Sequence, residues 1–206
     1  MKNPYHLNTN YYGTHRIIAR EINPGQSVLD IGCNDGYLKA LSPGSTFVGI
    51  DFSKEALKRA KNQGYAKTIQ ADLNQYSSIK LRKKFDVIVF ADILEHLMSP
   101  SAVLQYFVQH NLKSGGRVII SLPNVAHLSI RISLLLGRFD YTEAGILDRT
   151  HLHLYTPKTA RLLAQNSKLK IKKILFSSNR LGILIRMMPA LGGLLGFNII
   201  TVCQKS

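Results

Sequence analysis

Along this chain, short runs of apolar residues alternate with segments in which apolar positions recur every three or four residues. From Tyr11 to Ile22 the spacing predicts a helix, closed by the turn Asn23-Pro24-Gly25. Ser27 to Ile31 reads as a buried strand, ending in a glycine turn from Gly32 to Gly36, with a helix from Tyr37. Thr46 to Ile50 predicts a second strand, and Ser53 caps a helix with Ala56, Leu57 and Ala60 on one face. Further strands are expected at Lys67 to Ala71, Phe85 to Phe90 and Gly116 to Leu122, with a helix from Ser101 to Asn111. Strands and helices taken in turn indicate βαβ units and a mostly parallel sheet.

The rhythm breaks from Asn124 to Tyr155. Ile130 to Leu136 reads as a helix and Gly137 to Asp148 as a loop. Insertions at this point in an open α/β sheet lie over the carboxyl ends of the strands, where ligands bind. Thr156-Pro157 opens another helix, and Leu169 to Phe176 and Asn198 to Cys203 are the last two strands. The Leu-, Gly- and Met-rich stretch Leu181 to Gly196 cannot be one long helix, because Pro189 and its glycines interrupt it. It is expected to pack on the sheet as core, with a lipid-facing or partner-facing patch as the alternative.

No internal repeat or linker divides the 206 residues, so they are expected to form one domain over 1–206. Within it, 1–22 is a helical lead-in, and 124–155 and 177–197 are insertions on the substrate side. No run reaches the ~18 uninterrupted apolar residues of a membrane span, and Met1 to Thr14 has no signal-like apolar stretch. Cys33 and Cys203 stand apart, which predicts free thiols, no cysteine-based metal site and a cytoplasmic location. The net charge of +15 adds a lopsided feature, since Asp148 is the last acidic residue. Such a basic end suits an anionic partner, whether nucleic acid, a phosphorylated substrate or an acidic membrane surface. A solvated face whose lysines protect a sheet edge explains it equally simply.

The candidate chemistry starts at the glycine turn. Asp30-Ile-Gly32-Cys33-Asn34-Asp35-Gly36 follows a strand and opens a helix, so its backbone can approach a ligand closely. Asn34 stands where a further glycine is expected, and Asn tolerates the left-handed conformation next best. Asp51, at the tip of the second strand ~20 residues on, is placed to accept hydrogen bonds from a ribose. Phe52 beside it can face an adenine ring, with Asp72 and Leu73 at the tip of the third strand completing an adenine site. Any one of these acids alone could be a turn-forming residue; three in register after three strands form a set.

Taken in order, VLDIGCNDGYL, FVGIDFSKEAL, IQADLN, FDVIVFADILEHL and LKSGGRVIISLPN resemble the motifs of class I S-adenosylmethionine (SAM) methyltransferases. The resemblance implies a Rossmann-like seven-stranded sheet in the order 3-2-1-4-5-7-6, the last strand antiparallel. It implies SAM, with S-adenosylhomocysteine (SAH) as product, lying across the ends of strands one and two. Arg16 resembles an arginine that reaches the SAM carboxylate, a surface salt bridge to Glu21 or Asp35 being its other reading.

Past the fourth strand, Asp92, Glu95 and His96 share one face if that turn is helical. Asp148-Arg149-Thr150-His151-Leu152-His153 adds imidazoles later in the chain. Such a set can supply a general base near neutral pH, with His96 the first choice and Asp92 and His151 beside it. The turn also resembles the E-x-x-E-H site of ubiquinone-biosynthesis O-methyltransferases and small-RNA 2′-O-methyltransferases. That likeness implies a divalent metal on Asp92, Glu95, His96 and His151 as the alternative, and His151 matches the later histidine better than His153. Asn124 and His127 are candidates for the acceptor pocket, or simply for a helix entry.

SLPNVAHLSIRISLLLGRFDYT is similar to MetW-type methionine-biosynthesis proteins, and DRTHL to methyltransferases found with polysaccharide-synthesis genes. These likenesses imply methyl transfer to a small-molecule, sugar or lipid-linked acceptor, at oxygen by preference. A nucleic-acid methyltransferase and a non-catalytic partner-binding protein on the same fold are the competing expectations.

Overall fold

The computed structural model describes residues 10–178 and 181–205. The outer part of the N-terminal lead-in and Arg180 of the basic C-terminal region therefore lie outside the described residues. Within them, seven strands form one sheet in the order β3-β2-β1-β4-β5-β7-β6. These are β1 (Ser27–Ile31), β2 (Thr46–Asp51), β3 (Lys67–Gln70), β4 (Phe85–Ala91), β5 (Leu112–Pro123), β6 (Leu169–Phe176) and β7 (Asn198–Lys205). The first five run parallel to one another, whereas β7 is antiparallel to both β5 and β6.

Strand side chains alternate between faces, and each face has its own core. Leu29, Ile31, Ile88 and Phe90 point to one side, where α4 (Pro100–Asn111) contributes Val103, Leu104 and Phe107 and α6 (Pro157–Asn166) contributes Ala160 and Leu163. Val28, Val87, Val89 and Ile119 point to the other, against α1 (Thr14–Arg20), α2 (Tyr37–Leu41) and α3 (Lys54–Asn62). The caps work as the sequence predicts. Ser53 accepts from the Ala56 amide, and Thr156 forms a capping box with Thr159.

The segments between β5 and α6 and between β6 and β7 depart from the core picture. α5 (Leu128–Leu135) has no buried residue, and Leu135 is 85% exposed. Leu181 to Gly196 was expected as core but forms α7 (Gly182–Met187), a 3₁₀ turn and α8 (Gly192–Leu195) on the surface. Gly182, Ile185, Gly192 and Gly196 are buried there, while Ile183, Met187 and Met188 are exposed. Two short helices broken at Pro189 present too narrow an apolar stripe to bury every apolar side chain. No helix among the described residues is long and apolar enough to cross a membrane.

Candidate active site

The turn after β1 is shaped by left-handed backbone at Gly32 (φ +75°), Asn34 (φ +43°) and Gly36 (φ +80°). Asn34 thus does adopt the conformation its position demands. A side chain at Gly32 would collide with Ile93, since a Cβ there would lie 2.6 Å from Cγ1 of that residue. The loop is tied to the tip of β2 by Asp51, whose carboxylate accepts from the Asn34 amide at 2.8 Å and the Ser53 amide at 2.9 Å. Two backbone donors fix the carboxylate without engaging all its lone pairs.

Two hollows meet at this point. One, of about 250 Å³, is lined among others by Asp30, Gly32, Asn34, Asp51, Asp92 and His96. The other, of about 390 Å³, is lined by Phe52, Asp72, Leu73 and Asn74 together with Gly32, Asp51 and Ile93. Gly32, Asp51 and Ile93 belong to both, so the hollows form one trough over the carboxyl ends of β1 and β2. Phe52 is 76% exposed, an open ring face at the second hollow. Asp72 caps a 3₁₀ turn, Leu73–Ser78, accepting from the Asn74 amide at 2.9 Å.

Asp30 lies at the floor of the first hollow and is almost wholly buried. Its carboxylate accepts from the Tyr65 hydroxyl at 2.5 Å. Burial raises its pKa to about 7, the Tyr65 bond opposing and Asp51 adding to the rise. Tyr65, buried against Phe47, escaped sequence reading because nothing around it has motif spacing.

Arg16 does not line the trough; its neighbour His15 does. Neither expected salt bridge forms either. Asp35 pairs with Arg59 at 2.8 Å and Glu21 with Lys173 at 2.9 Å, while the Arg16 Nε is buried without a hydrogen-bond partner. One residue along a short helix rotates a side chain by about 100°, which is why the two were indistinguishable in sequence.

The acid-and-imidazole cluster differs from expectation in one member. Asp92 has φ +50°, and the following turn, Leu94–His96, is 3₁₀ rather than α-helical. Asp92 is thereby turned toward β5 and β7, where its Oδ1 accepts from the Ser121 hydroxyl and from Asn198 Nδ2. It lines the trough but stands apart from Glu95, His96 and His151, whose ligand-type atoms all lie within 4.8 Å of one another.

Two tethers bring His151 there from far along the chain. The Leu152 and His153 amides donate to the Glu95 carbonyl at 2.8 and 3.1 Å. His151 Nδ1 lies 3.0 Å from the Ile146 carbonyl, so that nitrogen carries the proton and Nε2 a lone pair. His96 is arranged alike. Its Nδ1 lies 3.2 Å from the Thr150 carbonyl and 3.0 Å from the Thr150 hydroxyl, which itself donates to buried Asp148 at 2.7 Å. The His96 Nε2 lone pair is therefore exposed to the site, and burial, with His151 beside it, lowers its pKa. Glu95 is 1% exposed, and neither carboxylate oxygen has a hydrogen-bond partner. Burial, reinforced by Asp92, raises its pKa well above the ordinary range.

His153 is not in the cluster. His127 caps α5, and Asn124 donates to the carbonyls of Gly193 and Gly196, so both take the helix-entry and structural reading. Sequence reading also missed His15 and Thr150. In the run Asp148-Arg149-Thr150-His151 only the histidine carries a recognisable signal, and the role of Thr150 in aiming His96 emerges from the contact alone.

The profile of the family described as methionine biosynthesis protein MetW matches residues 13–194. A ubiquinone biosynthesis O-methyltransferase from Xanthomonas oryzae pv. oryzae is 27% identical over 167 residues, 77% of this chain and 68% of that protein. Another from Xylella fastidiosa is 35% identical over 106 residues, 48% and 43% of the two chains. Among solved structures, the N-methyltransferase NodS from Bradyrhizobium japonicum WM9, in complex with SAH, superposes with a TM-score of 0.64 at 16% identity. That match covers 100% of this chain and 93% of the other. A SAM-dependent methyltransferase from Mesorhizobium loti gives 0.64 at 16% identity, covering 94% and 98%. The chain belongs to the MetW family, and its fold is that of the class I SAM-dependent methyltransferases.

Proposed function

We propose that this member of the MetW family binds SAM in the trough and transfers its methyl group to an oxygen of a small-molecule, sugar or lipid-linked acceptor. The observation that carries the reading is the continuity of the two hollows through Gly32 and Asp51. The fit rests on this chain's own features: a left-handed glycine bend that lines both hollows, a fixed carboxylate at its centre and an open aromatic face at one end. Asp51 would hold the ribose, Phe52, Asp72 and Leu73 the adenine, and Gly32, Asn34 and Gly36 the methionine part. Asp30 acts indirectly, by bracing the turn through Tyr65.

When bound, SAM supplies an electrophilic methyl on a sulfonium leaving group, which leaves the protein to align, exclude water and manage one proton. His96 Nε2 is placed to take the acceptor hydroxyl proton, with Thr150 and Asp148 fixing the ring. The lowered pKa keeps this imidazole unprotonated near neutral pH. The ubiquinone O-methyltransferase relatives favour oxygen as the methylated atom.

One observation favours a second reading of the acceptor side. Glu95 buries a carboxylate without partners beside two imidazole lone pairs, a donor set suited to a divalent cation. Glu95, His96 and His151 would hold it, and it would lower the pKa of a coordinated acceptor hydroxyl in place of the His96 base.

Calorimetry with SAM and SAH tests the main reading, which predicts one saturable site for each; no binding by either overturns it. Turnover of labelled SAM with catechol and sugar hydroxyl probes, with and without chelator, then reads the acceptor atom. Activity that survives chelation assigns the proton to His96, and loss restored by manganese or zinc assigns it to the cation.

A further inference from the structure

A third hollow lies on the far side of α1 from the trough. α1 presents His15 to the trough and Ile17 and Arg20, with Glu21 just past its end, to this other space, of about 470 Å³. The volume is in the range of small-molecule sites, roughly 300–1,000 Å³. Its wall is apolar where Ile174 and Phe176 of β6 meet Ile185 of α7 and Pro189. α7 is seated closely: a Cβ at Gly182 would lie 2.1 Å from the Tyr12 ring, and the Ser178 amide donates to the Tyr12 carbonyl at 3.0 Å.

Two guanidinium groups border the apolar wall. Arg20 lies flat over the Tyr11 ring, 3.6 Å from its centroid, and donates to the Tyr11 carbonyl. Among the described residues, no carboxylate lies within ion-pair distance of Arg20 or of Arg186. The acid that does line the hollow, Glu21, has both oxygens on Lys173 Nζ, at 3.0 and 2.9 Å. The lining thus offers an apolar wall and two cations without counter-charge, a combination complementary to an amphiphile with an anionic head.

We propose that this hollow is a second ligand site, which takes an alkyl or isoprenoid chain bearing a phosphate head. The chain lies against Ile17, Ile174 and Ile185, and the phosphate engages Arg20 and Arg186. The site is independent of the methyl-transfer reading, because none of its lining residues belongs to the trough.

The test is calorimetry on the full chain with decyl phosphate below its micelle concentration. Inorganic phosphate, decanol and phosphatidylcholine–phosphatidylglycerol vesicles form parallel arms. Decyl phosphate should bind saturably, one per chain, at least tenfold tighter than inorganic phosphate or decanol. The double variant Arg20→Gln with Arg186→Gln, both on exposed side chains, should weaken it at least tenfold, to the level of decanol. Ile174→Trp, folded by circular dichroism, should remove chain-dependent binding; if that variant does not fold, the arginine pair decides. SAH affinity should stay within twofold throughout, so that this site and the trough are read separately. Equal affinity for decanol and decyl phosphate overturns the proposal, as does an unchanged arginine variant. Binding to vesicles without binding of monomeric decyl phosphate also overturns it, by assigning the charge to surface adsorption.

Discussion

The two halves of the candidate site, the trough and the cluster that meets it at His96, are built by opposite means. The half at Gly32 and Asp51 is made of chain segments close in sequence and held by backbone bonds, with left-handed residues at the turn and two amides on one carboxylate. The half at Glu95, His96 and His151 joins two segments more than 50 residues apart, and burial there raises the Glu95 pKa and lowers that of His96. The first half is a rigid cradle fixed by local geometry. The second is assembled by tertiary contacts and stores unfavourable burial, as sites tuned for proton or metal chemistry do.

Removing the proposed acceptor-side base should produce the largest change. His96→Ala is expected to lower methyl transfer by about 10²–10⁴-fold, while SAH affinity by calorimetry moves less than about threefold. A loss shared equally by SAH binding would place His96 in the cradle and erase the contrast. Next, Asp51→Ala should weaken SAM and SAH about 100-fold, from two charge-assisted hydrogen bonds at the lower end of their usual range, about 1.5 kcal/mol each. Asp72→Ala, at the outer end, should cost about tenfold by analogy with a single such bond of about 1.5 kcal/mol.

Thr150→Val sharpens the comparison further, because it removes the hydroxyl that aims His96 and leaves the imidazole in place. The expected outcome is about a tenfold loss of turnover from a looser base, with KM for SAM unchanged. In the wild type, the acid limb of the pH profile should lie below the ordinary histidine value, since burial lowers the His96 pKa.

The smallest effects concern stability. Asp30 has a folded pKa raised from 3.8 to about 7, so the folded state binds more protons than the unfolded chain between those values. Its contribution is complete at acid pH and is lost as pH rises through about 7. Asp30→Asn should therefore flatten the fall in Tm over that interval, read by thermal melts in a pH series. Glu95, also raised, has the same sign, with its loss starting above the ordinary value of 4.5. Glu95→Gln should raise the Tm of the metal-free chain at neutral pH and abolish any divalent binding.

The cradle was legible because its signals are local. A strand, a glycine-bearing bend and an acid at the next strand tip occupy fixed offsets, and Asn34 reports its own left-handed φ. The acceptor side was legible only as a collection of residue types. Helical spacing grouped Asp92 with Glu95 and His96, but a 3₁₀ turn and two donors from β5 and β7 pulled Asp92 away. Arg16 and His15 exchanged places for the same reason, since a short helix's rotation depends on what it packs against. The expectation of a buried Leu181–Gly196 failed because composition shows how apolar a segment is, not whether a partner surface is left to cover it.

The order of apolar runs, with capped helices between them, by itself pointed to βαβ units and a mostly parallel sheet, because burial of each face leaves few other arrangements, and the seven-strand order followed from the motif resemblance. The bend at Gly32 and the acid at Asp51 came with it. Tertiary structure alone decided which histidine meets Glu95, which side of α1 faces the trough, and which apolar helices stay in solvent. Those outcomes depend on contacts between distant segments, and a contact between distant segments has no periodicity to read.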